Sequence, residues 1–291
     1  MEITRKRQLN ERLLGLYLLS HPRPVLMYIL AVTLFTLLAA WHHFAWSIVG
    51  LVIGAHAAMQ LSIAMINDYC DRQRDARGKP DKPIPRGLVS PRVALAGGLL
   101  MMALMMAMLV PLPPLAWIIA LGYLALGQGY NMRLKSTPYS GFVLALAMPL
   151  IPLYAFAGVG RATPFLFWLV PVGFLLGIAL NLANSLPDLE EDAGNGTRTL
   201  AVMLGLKRSF NACQLFIVMS AALIGVLTIA KLAPSQPWVL VTTLILACLG
   251  IEAMLLFFGP DRPVETRRLY FYVVALTCLV LAGGWLISAI A

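Results

Sequence analysis

The chain alternates long apolar runs with short polar segments that contain proline, glycine and charged residues. A run of about 20 apolar residues is long enough for a helix to cross the hydrocarbon core of a bilayer. Such runs occur at residues 24–43, 45–68, 92–111, 114–132, 139–158, 164–187, 208–231, 237–258 and 269–290. The pattern predicts an all-α, polytopic membrane protein with nine transmembrane helices.

The overall composition agrees with this prediction. Hydrophobic residues form 60% of the chain and charged residues 12%, and the mean hydropathy is +0.81. The segments between the runs are short, so we predict a single domain over residues 1–291. The first run follows a charged stretch and lacks the small-residue cleavage site of a secretory signal, so we expect no removable signal peptide.

Basic residues are unevenly divided between the two sides of the predicted membrane. The N-terminal tail and every second connection carry 20 of the 22 basic residues, and only Arg161 and Lys231 fall on the other side. Because basic residues favour the cytoplasmic side, this bias places the long polar segments at about 69–91 and 188–207 in the cytoplasm. The net charge of +9 then reflects topology and attraction to anionic membrane lipid, and we expect no nucleic-acid partner.

Two acidic clusters with the same spacing occur at the ends of predicted spans. In both, an asparagine and two aspartates recur at four-residue intervals, and the second cluster follows the first by 117 residues. The residues are Asn67, Asp71 and Asp75, with Asp68 beside the first, and Asn184, Asp188 and Asp192. Residues four apart share one face of a helix, so each cluster is predicted to point its oxygens in one direction.

The chemistry of these clusters indicates a metal-assisted diphosphate site. Crowded carboxylates remain ionised beside cations, and hard oxygen ligands suit Mg²⁺. Arginines near both clusters, among them Arg72 and Arg198, could bind phosphate oxygens directly. Diphosphate neutralised in this way is a good leaving group, and an apolar chamber would shield an allylic cation from water.

The two clusters resemble the motifs of the UbiA superfamily of intramembrane prenyltransferases. The first motif, NDxxDxxxD, matches residues 67–75, and the segment 81–87 is similar to the DRPxxxG element of that family. The second motif, DxxxD, matches residues 188–192, and the GxRTL continuation matches residues 196–200. The resemblance implies nine transmembrane helices around a central cavity, a cytoplasmic cap formed by the two motif loops, Mg²⁺ and a polyprenyl diphosphate.

The resemblance also assigns residues to roles. The implied catalytic and metal-binding residues are Asp68, Asp71, Asp75, Asp188 and Asp192, with Asn67 as a further metal ligand. Implied substrate-binding residues are Asn67, Arg72, Asn184, Arg198 and Arg23, which belongs to an Arg-Pro element before the first span. A Tyr-xxx-Lys element of the family corresponds to Tyr130, but the spacing here leaves open whether Arg133 or Lys135 reaches the phosphate.

The acceptor is the least constrained part of the predicted reaction. The leading hypothesis is prenyl transfer to a small lipophilic acceptor, either aromatic or a quinone precursor, with His56 and Gln60 as candidate contacts. A glycerol phosphate or tetrapyrrole acceptor, or cyclisation of the donor, keeps the same donor chemistry. A cation transporter is a distant alternative, because its carboxylates would lie near the middle of the membrane. We expect an integral protein of a bacterial or archaeal cell membrane with its active site on the cytoplasmic side.

Overall fold

The computed structural model describes residues 2–41, 43–137, 139–194 and 196–290, and the side chains of these residues from Asn10 onward except that of Ser136. A few of the predictions concern residues outside the described side chains. These are the basic tail residues Arg5, Lys6 and Arg7, His42 in run 24–43, and Asn195 in segment 188–207. Within the described chain, the secondary structure is helical, without strands.

The helices follow the apolar runs closely. Their bounds are α1 Glu2–Leu19, α2 Pro22–Ala40, α3 Trp46–Gly78, α4 Pro91–Leu109, α5 Pro114–Met132, α6 Ser140–Gly158, α7 Leu169–Ser185, α8 Leu189–Gly194, α9 Leu200–Leu204, α10 Leu206–Ile229, α11 Pro237–Phe257 and α12 Glu265–Ile290. Proline occupies the first turn of α2, α4, α5 and α11, where its missing N–H costs nothing. The Ser90 hydroxyl caps α4 by accepting a hydrogen bond from the Val93 amide at 3.3 Å.

Eight segments in the described part of the chain are long and apolar enough to cross a membrane. They coincide with eight of the nine predicted spans. The remaining span is the 19-residue helix α5, whose polar C-terminal residues Gln128 and Asn131 lower its hydropathy. The predicted all-α membrane architecture is confirmed, whereas the count of nine crossings stays a prediction.

Helix α3 differs most from its predicted boundary. The predicted span ended at residue 68 and a loop was expected from residue 69, but the helix continues to Gly78 over 33 residues. At 1.5 Å per residue this is a rod of about 50 Å, whereas the hydrocarbon core of a bilayer is about 30 Å thick. Helix α3 is therefore long enough to carry its charged C-terminal turns beyond the apolar layer.

The chain forms two compact units. Unit 1 contains residues 1–133 and 150–162, and unit 2 contains residues 134–149 and 163–291. In unit 1, α3 packs against α2, α4 and α5, and the Tyr154 hydroxyl donates to the Val52 carbonyl at 3.0 Å. In unit 2, α7 packs against α10 and α12, and α11 packs against α12. A single domain over residues 1–291 stays a prediction.

Small residues allow close helix contacts inside unit 2, as is common in membrane proteins. A methyl group at Gly177 of α7 would meet the Ala145 backbone of α6. We expect Gly177→Val to lower the free energy of unfolding by about 1–3 kcal/mol, because the added volume has no room. Thermal unfolding in detergent measures this effect. The matched control is Gly225→Val in α10, where a side chain meets open space, and equal destabilisation by both variants would contradict the packing argument.

Candidate active site

Three aspartates lie along the C-terminal turns of α3 in unit 1. Asp68, Asp71 and Asp75 are three, four and seven residues apart, which places them on one side of the helix. Their exposed fractions are only 2%, 7% and 4%. A buried carboxylate is costly unless a cation or several hydrogen bonds compensate it. These three aspartates therefore require positive charge beside them.

Lys82 supplies the central positive charge. Its Nζ donates to Asp68 Oδ1 and to Asp75 Oδ2, both at 2.8 Å. The lysine lies in the segment after α3, where the Lys82 amide donates to the Lys79 carbonyl and the Arg86 amide donates to the Lys82 carbonyl. Burial lowers the pKa of the Lys82 amine, but hydrogen bonds to the two carboxylates outweigh this effect and raise the pKa above its ordinary value. The ammonium thus remains charged at neutral pH.

His21 makes the second contact with Asp68. Its Nε2 lies 3.0 Å from Asp68 Oδ1, at the point where α1 ends and α2 begins. The backbone of His21 is left-handed, with φ 47° and ψ 59°, which is an uncommon conformation for a residue other than glycine. The other carboxylate oxygen of Asp68, Oδ2, is buried and has no hydrogen-bond partner in the described residues. Asp68 therefore retains an unused acceptor.

Two arginines near the first cluster make different contacts. Arg74 Nη2 lies 3.1 Å from Asp71 Oδ2. Arg72, a predicted phosphate ligand, instead donates from Nη1 to the Tyr69 carbonyl at 2.7 Å and lies 4.3 Å over the Tyr69 ring. Arg23 is exposed in the first turn of α2, and Asn67 is half-buried on α3. Phosphate binding by these residues stays a prediction.

An open pocket adjoins the first cluster within unit 1. Its volume is about 470 Å³, and its lining residues are Leu18, His21, Asp68, Gly78, Lys79, Pro80, Asp81, Lys82 and Pro83. Two carboxylate side chains, Asp68 and Asp81, and two lysine side chains, Lys79 and Lys82, line this space. The pocket is thus suited to a small charged ligand that contacts both acidic and basic side chains.

The residues of the Tyr-xxx-Lys resemblance lie on successive elements. Tyr130 is in the last turn of α5, and Arg133 is the exposed C-terminal cap residue of this helix. Lys135 is in a short 3₁₀ helix, Leu134–Ser136, and is half-buried. The two basic candidates thus lie on different local elements, and the choice between them stays open.

The second cluster in unit 2 is not on one continuous helix, so the prediction of a single helical face is wrong here. Helix α7 ends at Ser185 and α8 begins at Leu189, because Pro187 cannot donate a helical hydrogen bond. Asn184 is exposed in the last turn of α7, Asp188 is exposed within the break, and Arg198 is exposed farther along the chain. The Asp192 amide still donates to the Asp188 carbonyl at 2.8 Å, which keeps one helical turn between the two motif aspartates.

A buried arginine of α12 binds Glu190, which lies between the two aspartates of the second cluster. Arg267 of α12 is 4% exposed, and its Nη1 donates to Glu190 Oε1 at 2.8 Å and Oε2 at 2.7 Å. The same nitrogen donates to the Leu186 carbonyl at 3.1 Å. The hydrogen bond from Arg267 lowers the pKa of Glu190. This pairing is therefore present at neutral pH and is lost as the pH falls through the lowered pKa.

The first cluster has the donor set that a magnesium ion needs. Mg²⁺ is commonly bound by one or two carboxylates together with substrate phosphates. Asp68 and Asp75 already share one cation, the Lys82 ammonium, and Asp68 Oδ2 is an unused oxygen ligand. No group of three or more His, Cys, Asp or Glu side chains within the described ranges is arranged to hold a metal by itself. The arrangement thus fits an ion completed by a phosphate ligand.

Residues 26–288 match the UbiA prenyltransferase family. The chain belongs to this family. The match confirms the resemblance seen in the motifs and, at the level of the family, the prenyltransferase class of enzyme. It also confirms an integral membrane protein, in agreement with the apolar helices.

Curated relatives and solved structures agree with this family. The chain is 34% identical over 165 residues to digeranylgeranylglyceryl phosphate synthase of Pyrococcus abyssi, and 34% identical over 164 residues to the enzyme of the same name from Methanoregula boonei. These alignments cover 56% and 54% of this chain, and 56% and 58% of the relatives. The chain thus matches little more than half the length of these relatives.

Two solved structures show the same fold. One, from work on digeranylgeranylglyceryl phosphate synthase in membranes, has a TM-score of 0.78 at 19% identity and covers 96% of this chain and 99% of its own. The other is a UbiA homologue from Archaeoglobus fulgidus bound to DMAPP and Mg²⁺, with a TM-score of 0.68 at 18% identity, covering 91% of this chain and 99% of its own. Both support the UbiA fold for this member of the family.

The polar residues deeper in α3 contact one another within unit 1. Gln60 lies 3.1 Å from His56 Nε2 and 2.9 Å from the Tyr123 hydroxyl. His56 precedes Asn67 by 11 residues, a rise of about 16 Å along the helix. His56 Nδ1 is buried and has no hydrogen-bond partner in the described residues. A role for His56 and Gln60 as acceptor contacts stays a prediction.

Proposed function

We propose that this UbiA-family protein is an intramembrane prenyltransferase that ionises a polyprenyl diphosphate with the help of Mg²⁺ and transfers the prenyl group to a hydroxyl of a glycerol phosphate acceptor. The observation that carries the proposal is the set of buried aspartates on α3. Asp68 and Asp75 share one cation at 2.8 Å, beside a pocket of about 470 Å³.

The donor half of the reaction follows from this chemistry. Asp68, Asp71 and Asp75 would hold Mg²⁺ from unit 1, and Asp188 and Asp192 are the corresponding candidates in unit 2. Bound Mg²⁺ would neutralise the charge that develops on the departing diphosphate. The A. fulgidus homologues bound to DMAPP or GPP together with Mg²⁺ support the same donor class here.

The bond changes are those of an allylic substitution. The bond between C1 of the prenyl group and the diphosphate oxygen breaks, and its electron pair leaves with the diphosphate. An acceptor hydroxyl oxygen then forms the new bond to C1 and releases its proton. Lys82 contributes positive charge beside the departing anion, and apolar helices keep water from the allylic cation.

The names of the curated relatives favour a glycerol phosphate acceptor over an aromatic one. They denote synthesis of a glyceryl phosphate that carries two geranylgeranyl groups. Among the candidate contacts of the aromatic acceptor, Gln60 is bonded to His56 and Tyr123, whereas His56 Nδ1 has no partner in the described residues, so the preference for glycerol phosphate rests on the relatives. We therefore propose formation of a prenyl ether with geranylgeranyl diphosphate as the donor.

The orientation of the protein in the membrane is part of the same proposal. The bias of basic residues supports placing both acidic clusters at the cytoplasmic face, as the entrance for charged substrates. The cap predicted over residues of about 69–91 and 188–207 is part of this proposal, with helices α8 and α9 in the second segment. A single domain over residues 1–291 remains part of this proposal.

The acceptor assay tests the proposal. Purified protein in detergent with Mg²⁺ and geranylgeranyl diphosphate is expected to convert geranylgeranylglyceryl phosphate into the digeranylgeranyl ether, measured by mass spectrometry together with diphosphate release. Parallel reactions contain 4-hydroxybenzoate or no acceptor, and EDTA is the metal control. A prenylated aromatic product would replace the proposed acceptor, a hydrocarbon without acceptor would indicate cyclisation, and release unaffected by EDTA would contradict the role of Mg²⁺.

A further inference from the structure

We propose that Lys82 is an internal counter-ion that must leave the first cluster before a divalent cation can bind there, and that its release couples cation binding to diphosphate binding. This inference rests on the proposed function and adds a regulatory step to the same site. The Lys82 ammonium lies between the carboxylates of Asp68 and Asp75, at 2.8 Å from each. It thus occupies the place that a shared metal ion would take.

The carboxylates themselves point to a missing ligand. Asp68 and Asp75 are 2% and 4% exposed, and Asp68 Oδ2 is buried without a hydrogen-bond partner in the described chain. A single lysine therefore leaves part of the negative charge and one acceptor unused. A divalent cation brings twice the charge and binds more than one oxygen per carboxylate pair. It is the better partner for these oxygens, but it cannot share their position with an ammonium group.

The open pocket provides space for a second conformation of the Lys82 side chain. Its side chain is 24% exposed and lines the open pocket of about 470 Å³. The backbone around it is held by the hydrogen bonds to Lys79 and Arg86, so a change of side-chain rotamer is enough. Like charges repel, so cation binding would turn the ammonium towards the pocket, where it meets the anionic diphosphate. Lysine has the flexible stem and compact charge that this exchange requires.

Thermodynamic linkage between cation binding and diphosphate binding makes the role of Lys82 measurable. If Lys82 opposes the cation and favours the diphosphate, each of the two ligands must strengthen binding of the other by the same factor. Couplings of this kind are typically about 5- to 150-fold. Removing the charge of Lys82 should therefore tighten binding of the cation alone and weaken the coupling. A residue that only stabilises the fold would do neither.

The test measures Mn²⁺ binding by electron paramagnetic resonance in detergent, with and without inorganic pyrophosphate. We expect Lys82→Met to bind Mn²⁺ alone about tenfold or more tightly than the wild type, and to show a smaller enhancement by pyrophosphate, because only direct ligation of the metal by phosphate remains. Lys82→Arg keeps the positive charge, so it should not show the tighter binding of Mn²⁺ alone. Lys79→Met is the matched control, because Lys79 lines the same pocket and has no ion pair with a carboxylate in the described residues.

Unchanged or weaker Mn²⁺ binding by folded Lys82→Met would overturn the inference, as would full retention of the pyrophosphate effect. Lys82→Gln serves the same purpose if the methionine variant does not purify, and gel filtration with thermal unfolding verifies the fold of each protein. A failure of the proposed function can be distinguished from a failure of this inference. A wild type that shows the Mn²⁺ and pyrophosphate coupling but transfers no prenyl group in the acceptor assay supports the inference and contradicts only prenyl transfer.

Discussion

Replacing Asp68 with asparagine is expected to slow diphosphate release from geranylgeranyl diphosphate by about 100-fold or more, the scale on which loss of one preorganised charge-stabilising group acts. Asp68 contacts both His21 and Lys82 through Oδ1, and its second oxygen, Oδ2, is still available to a ligand. Asparagine has the same shape but no charge, and it presents an NH₂ group that repels cations.

The measurement is release of diphosphate at saturating Mg²⁺ together with the Mg²⁺ concentration that gives half-maximal rate. We expect the rate to fall and the required Mg²⁺ concentration to rise. Asp261→Asn is the control, since this aspartate is exposed in the connection between α11 and α12 and loses the same charge. Asp188→Asn tests the second cluster in the same way.

Unfolding does not explain the expected loss if the melting temperature of Asp68→Asn stays close to that of the wild type. Lys82 keeps its second partner, Asp75, in this variant, so the segment after α3 remains anchored. Near-normal release by both Asp68→Asn and Asp188→Asn would contradict the assignment of the clusters to the diphosphate.

The architecture was predictable because length and hydropathy determine membrane helices almost directly. Each predicted apolar run coincides with a helix, and four of these helices begin where a proline stands in the sequence. The end of α3 was not predictable in this way. Charged residues from 68 to 78 are equally compatible with a loop or with a helix that leaves the membrane, and only the contacts of Asp68 and Asp75 with Lys82 distinguish the two.

The candidate site was predicted in part for a similar reason. Spacing identified Asp68, Asp71 and Asp75, because residues three and four apart share a helix face. It could not identify His21 or Lys82 as their partners, since both contacts depend on how separate segments fold back onto α3. The break between α7 and α8 did have a signal, Pro187, which was outweighed by the regular spacing of the second cluster.

Arg267 illustrates the limit of interpreting charge from sequence alone. By position it is one of many basic residues that set membrane topology. In the structure it is 4% exposed and bound to both oxygens of Glu190. An arginine in the first turn of a helix carries no local signal for a partner 77 residues away. The structure thus gives Glu190 a partner on α12 that the spacing of segment 188–192 did not indicate.

Replacing Arg267 with methionine is expected to lower kcat/KM for the polyprenyl diphosphate by about tenfold or more, the effect of losing a residue that positions catalytic ligands. Methionine fills much of the same space but cannot bond to Glu190 or to the Leu186 carbonyl. The turn between α7 and α8 would lose its connection to α12, and Asp188 and Asp192 on either side of Glu190 would no longer be held in one place.

A double-mutant cycle with Glu190→Gln separates positioning from general stability. Because Arg267 and Glu190 act as one pair, the loss in Arg267→Met combined with Glu190→Gln should be smaller than the sum of the free-energy effects of the single variants. Arg267→Lys should recover only part of the activity, since one ammonium group cannot reproduce the guanidinium contacts. The Mg²⁺ dependence of the rate is the decisive measurement, because misplaced aspartates raise the Mg²⁺ requirement whereas a merely less stable fold lowers the amount of active protein. Additive effects with an unchanged Mg²⁺ requirement would show that Arg267 stabilises unit 2 without positioning the second cluster.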